Sequence, residues 1–224
     1  SDGRFPPQPT DGLDVVIARA ARHPHIEAAT LASIPPFGAR AQSGFTIPGR
    51  PPAPPTDLAG PYVMSVAPDF FATMGTRVVS GRGFTSEDVL GGQPVAVVNE
   101  SMARAYWAGE SPLDSCIMPA GSPCARVVGI VEDFRTTRGD AQAPLRYYFA
   151  LAQQDAAPRA LMVRAPEDIA ADIAADLVAG LPADARIRTE VVRERLDRAL
   201  RPWRVAALFF SLFSVLAVVL ACVG

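Results

Sequence analysis

Three sets of residues in this 224-residue chain combine types and spacings that could do chemistry. Cys116 and Cys124 flank IMPAGSP, His23 and His25 flank Pro24, and Asp168, Asp172 and Asp176 recur at helical spacing. Folding the cysteine segment as a hairpin around Pro119, Ala120 and Gly121 puts Met118 opposite Ser122 and Cys116 opposite Cys124, which suits a disulfide. Closing so short a loop would contribute about 2 to 3 kcal/mol in the chain-entropy account. Two free thiols or half of a metal site are the competing readings. Zinc is a poor fit, because His23 and His25 are the chain's two histidines and lie far from the cysteines in sequence. The aspartate stripe has the form of a solvated helix face.

Enzyme signatures fail one by one. Ser80, in VVSGRG, lacks the first glycine of a nucleophile elbow. Glu132 and Asp133 are neighbours at the end of an expected strand, so they point to opposite faces and do not pair as acid and base. All 21 basic residues are arginine, which removes the lysine that a phosphate loop or a Schiff base needs. No C-x-x-C, metal motif or dinucleotide loop occurs. No catalytic, cofactor or metal residues are therefore expected, and the net charge of -2 gives no basic field for nucleic acid. Arg82, Asn99 and Trp107 stand out as polar or aromatic residues at element ends, where turn or core roles are the simpler reading.

The elements that would position these residues are short. A helix is expected over 11–22, stopped by Pro24, with a strand over 26–33; a helix opening at Pro166 and stopped by Pro182, with a strand over 186–191, repeats that order. The proline-rich segment 47–61 reads as a loop. Between the two repeats come strands at 62–66, 77–80 and 95–98, helices at 69–74 and 100–107, the cysteine hairpin, and strands at 127–131 and 146–150. Gly75 suits a left-handed helix cap, and Gly81 and Gly83 bracket Arg82 in a turn with positive backbone angles. The unbroken apolar run at 95–98 predicts a strand covered on both faces. The fold class expected is α+β: two small lobes with mixed β-sheets and short helices, residues 10–46 and 158–200 forming one lobe and 62–156 the other.

Residues 205–224, VAALFFSLFSVLAVVLACVG, carry no charge and as a helix would extend about 30 Å, the thickness of a bilayer core. A buried core helix is the competing reading, and Cys222 within the run reads as a small apolar residue. The amphipathic stretch 189–201 leads into it as a stalk helix, so 201–224 is expected to begin a transmembrane helix. Trp203 suits the interface, with Arg201 and Arg204 reaching the headgroups of the lipid bilayer. A long domain crosses a membrane regardless of its flanking charge, so these arginines do not fix its side. The expected disulfide points to an oxidising compartment, placing 1–200 on the periplasmic or extracellular side of a bacterial inner membrane. Ser1 without a leader suggests a fragment or processed product.

The string VAPDFFATMGTRVVSGRGFTSEDVLGGQPVAVVNESMARAYW, followed by SPLDSCI and ARVVGIVEDFR, resembles the periplasmic core domain of MacB/FtsX-type ABC transporter permeases, and is similar in particular to the duplicated permeases of acidobacteria. The resemblance runs from about residue 62 to 224, and the helix and strand within 13–33 also fit it. It implies a non-catalytic extracytoplasmic domain that relays ATP-driven movement for export or envelope processes. Its implied partners are a cytoplasmic ABC ATPase on a separate chain and a second permease half or an identical permease. The alternative is a membrane-anchored binding or assembly module without transport. The cysteine pair is a departure, since many relatives carry a glycine and a basic residue in that hairpin and no cysteine.

Overall fold

The computed structural model describes residues 13–35, 44–50, 61–119, 123–134, 143–154, 160–181 and 187–191. In chain order these form α1 (Leu13–Ala20), β1 (Ala28–Ala32), β2 (Phe45–Thr46), β3 (Tyr62–Val66), α2 (Phe70–Thr73), β4 (Val78–Gly81), β5 (Val95–Asn99), α3 (Glu100–Trp107), β6 (Cys116–Pro119), β7 (Ala125–Val131), β8 (Arg146–Ala150), β9 (Ala160–Arg164) and α4 (Ala170–Val178). Short 3-10 turns at Leu151–Gln153 and Glu167–Ile169 complete the set.

The strands build one mixed sheet in the order β2-β6-β7-β5-β8-β3-β1-β9, with β4 also pairing β7. The pairs β5/β7 and β3/β8 are parallel, and the others are antiparallel. β5 lies between β7 and β8 and is buried along its whole length. Its alternate residues serve opposite faces, as the period of two in a strand requires. Val95 and Val97 join Val66, Phe70, Phe71, Phe84 and Tyr148 on the side covered by α2. Ala96 and Val98 join Met102, Trp107, Val127, Tyr147 and Phe149 on the side covered by α3. The expectation from the run at 95–98 therefore holds. Each fully buried valine contributes about 1.5 to 3 kcal/mol relative to exposure.

A third apolar cluster, Val16, Ala20, Ile173 and Leu177, lies between α1 and α4, with Leu161 and Val163 of β9 packed against it. Val16 and Ala20, and likewise Ile173 and Leu177, stand four residues apart and so share one face of their helix. Arg19 donates from Nη1 to the carbonyls of Leu177 and Ala179, satisfying backbone acceptors at the end of α4.

Four expectations are corrected here. The two lobes do not carry separate sheets, because β1 meets β3 at Ala32 and Val66 and joins their strands into one. Backbone groups beside that pair complete the junction, Ser33 N donating to Ser65 O at 2.8 Å and Ala67 N to Leu31 O at 2.9 Å. Residues 187–191 form no strand; the partner position beside β1 is filled by β9, five residues in register from Ala28↔Arg164 to Ala32↔Ala160. β2 pairs β6, so Phe45 and Thr46 belong to the sheet of the middle section rather than to the first repeat. Finally, of the two glycines around Arg82, Gly81 alone takes a positive φ, +72°. That glycine and Gly129 let two backbones touch: an added Cβ would stand 2.3 Å from Val128 O at Gly81 and 2.0 Å from Arg82 O at Gly129. The cap at Gly75 is left-handed as expected, φ +69°.

Among the described residues no helix is long and apolar enough to cross a membrane, and the stalk and apolar run at 192–224 lie outside them.

Candidate functional site

The densest polar arrangement lies where β5 passes into α3. Asn99 ends the strand in extended geometry and caps the helix, its Oδ1 accepting from Met102 N at 3.1 Å. The same oxygen accepts from Arg146 N at 2.9 Å, while Nδ2 donates to Pro144 O at 3.0 Å and to Asp133 Oδ1 at 2.6 Å. The buried amide is thus saturated, as its position demands. Asp133 in turn accepts from Ser101 N at 2.9 Å, Ser101 Oγ at 2.7 Å and Arg104 Nη2 at 2.9 Å. One carboxylate therefore gathers the end of β7, the first turns of α3 and the approach to β8. The arrangement is that of a brace.

Glu132 points away from Asp133, as its place in the chain predicts, and pairs with Arg77 across the sheet edge. That hydrogen-bonded arginine holds the Glu132 carboxyl below the usual carboxylate range. Arg82 makes a bidentate pair with Asp88, Nη1 to Oδ2 at 2.8 Å and Nη2 to Oδ1 at 2.9 Å. The hydrogen bond from Arg82 lowers the Asp88 pKa, and Thr85 N adds to it at 2.8 Å; burial opposes both. The brace fixes a turn that exposes Val89 and Leu90. Trp107 is buried and donates from Nε1 to Ser115 Oγ at 3.0 Å, a core anchor. Burial also pushes the Tyr148 and Tyr106 hydroxyl pKa values up, so both stay neutral.

Cys116 and Cys124 form the expected disulfide, with Cα atoms 5.6 Å apart. The register differs from the expected one. Cys116 pairs Arg126 and Ile117 pairs Ala125, so the bridge runs diagonally rather than between opposed residues. The shift places Ile117 and Ala125 in the α3-side core, and that burial sets the register.

Asp168, Asp172 and Asp176 are exposed along α4 and its entry. His23 and His25 share a turn after α1, His25 N donating to His23 Nδ1 at 3.3 Å. Among the described residues no three His, Cys, Asp or Glu side chains converge as a metal site would require. Arg201, Trp203 and Arg204 lie outside the described residues. Sequence reasoning singled out Asn99 without its role and missed the Asp133 hub. The signal available was an asparagine between a strand and a helix, the preferred cap position.

Comparison with known proteins gives a consistent answer. A family model for the MacB-like periplasmic core domain matches residues 3–181. The macrolide export ATP-binding/permease protein MacB 1 of Aeromonas hydrophila subsp. hydrophila is 39% identical over 70 residues, covering 31% of this chain and 11% of that protein. The chain thus aligns with about a tenth of this curated relative. In fold it is similar to the periplasmic region of MacB from Actinobacillus actinomycetemcomitans, with a TM-score of 0.53 at 16% identity, covering 81% of this chain and 75% of that one. It is similar also to the extracellular domain of the noncanonic ABC-type transporter YknZ from Gram-positive bacteria, with a TM-score of 0.52 at 14% identity, covering 74% and 80%. The chain belongs to the MacB-like periplasmic core domain family, the extracytoplasmic domains of ABC transporter permeases.

Proposed function

We propose that this chain is a non-catalytic relay: it transmits movement driven by a cytoplasmic ABC ATPase on a separate chain, in export or another envelope process, paired with a second permease half or an identical permease in the inner membrane. The observation that carries the reading is the family match across residues 3–181, on a domain whose buried Asn99 and half-buried Asp133 are used for bracing. The domain limits that go with it are 1–200 outside the membrane and 201–224 as the first C-terminal transmembrane helix. Arg201, Trp203 and Arg204 then stand at the membrane interface. In this mechanism 189–224 is the stalk, and its continuity is what couples helix motion to the domain.

Inserting Gly-Gly beside Arg198 in the full permease tests this. Two glycines in a helix interior cost about 2 kcal/mol and add flexibility. Transport should fall while ATP hydrolysis persists. Transport at the original rate would overturn the relay and leave the membrane-anchored binding module as the better account.

A further inference from the structure

We propose that the Cys116–Cys124 disulfide is a thiol-exchange site, and that its redox state decides whether β2 stays closed over Tyr106 of α3 and Tyr147 of β8. Cys124 is exposed just before β7, whereas Cys116 is half-buried. A dithiol can therefore approach the Cys124 sulfur. Its thiolate attacks Sγ of Cys124, the bond to Cys116 breaks, and Cys116 leaves as a thiolate. The second thiol of the reagent, deprotonated, attacks the mixed disulfide and releases Cys124. The dithiol ends as a disulfide, two electrons have passed to the protein, and the released thiolates take protons from water.

The consequence follows from what β6 holds. Its first half pairs β7, through Cys116↔Arg126 and Ile117↔Ala125. Its second half pairs β2, through Met118↔Thr46 and Pro119↔Phe45. Beyond Ile117 the strand has no further paired residue on β7, and the disulfide fastens the hairpin at that point. A two-residue strand cannot hold itself in place, so β2 is held by that end of β6 and by the neighbouring Ile47, which is buried in the α3-side core. What β2 covers is specific: Phe45 packs at 5.0 Å from the Tyr106 ring and 5.3 Å from the Tyr147 ring. Arg50, just beyond, donates to Tyr106 O at 3.3 Å and pairs with Glu110. Reduction frees the hairpin mouth, β2 opens with it, and the Phe45–Tyr106 face is uncovered. The centre of the sheet is spared, since β5 and β8 are buried and paired on both sides. This inference is independent of the transport reading, because it concerns motion within the domain.

The test is hydrogen exchange on the 224-residue chain, oxidised and then treated with dithiothreitol without denaturant. Reduction is expected to speed exchange at residues 44–50 and at 118 by about tenfold or more, with 95–99 and 146–150 unchanged. Two results overturn the proposal: a disulfide that resists dithiothreitol until denaturant is added, or exchange at 44–50 that does not change or that rises equally with 95–99. The variant with both Cys116→Ser and Cys124→Ser should match the reduced protein at 44–50. If that variant fails to fold, the dithiothreitol comparison decides alone.

Discussion

The sheet centre and the α1–α4 flank are built from similar apolar residues yet held in different ways. At the centre β5 is covered on both faces, and the polar groups at its end are saturated by Asn99 and Asp133. At the flank one small cluster sits between two helices and the edge strand β9, whose residues are mostly half-buried. Packing on two sides leaves no room to relax, whereas packing on one side lets a change move toward solvent. The same chemical substitution should therefore cost more at the centre than at the flank.

Glycine to alanine gives the largest contrast. At Gly129 the new Cβ would lie 2.0 Å from the carbonyl oxygen of Arg82, and backbone cannot step aside as a side chain would. Gly129→Ala is expected to cost about 3 kcal/mol, by separating β7 from the turn after β4. Gly180 follows α4 with φ +67° and has nothing within 4 Å of its added Cβ. Gly180→Ala meets only the left-handed backbone penalty, about 1 kcal/mol. Urea midpoints of the two variants measure the difference, and equal losses would dissolve the distinction between centre and flank.

Asp133 and Asp176 supply the next contrast. Asp133→Ala strands Ser101 N and the Asn99 amide hydrogen beside a buried cap, a loss of about 2 to 3 kcal/mol. Asp176 is exposed on α4, and Asp176→Ala should stay within about 0.5 kcal/mol of the parent. A small effect at Asp133, read in the same urea titration, would mean that the brace at β5 and α3 is redundant.

The centre was also the more legible region in sequence. β3, α3 and β8 occupy the spans that apolar runs and helical spacing predict, because each is long enough to show its period and is bounded by a clear break. The flank misled where the repeat of helix and strand was carried too far. Its real strand, β9, has the mixed pattern ALMVR of a half-buried edge, which has no clean alternation to read. β2 is too short to leave any period, and its place comes from a partner distant in the chain. The cysteine pairing was readable from spacing, but its register was set by burying Ile117 and Ala125, a tertiary effect. Asp133 could not be assigned its role, since its partners converge from 29 to 34 residues away. A capping asparagine can be read locally, but a hub cannot.

Acid offers the smallest and most local test of the same contrast. Asp88 is held to Arg82 and Thr85 on a surface turn, and its folded pKa is lowered chiefly by the Arg82 hydrogen bond. A carboxyl with a depressed folded pKa adds stability that is fully present above its unfolded pKa, about 3.9, and is lost as the pH falls through the lower folded value. The Arg82 side chain is 43% exposed, so solvent screens the pair and the global effect is small. Protonation should open the turn, raising hydrogen exchange at 85–88 (relative to the intrinsic rate) as the pH falls from 5 to 2.5, while 95–99 at the centre stays protected. Asp88→Asn should show fast exchange at 85–88 at both ends of that range, because it lacks the charge that acid removes. If Asp88→Asn leaves exchange at 85–88 as slow as in the parent at pH 5, packing rather than the ion pair holds the turn, and the surface turn belongs with the centre after all.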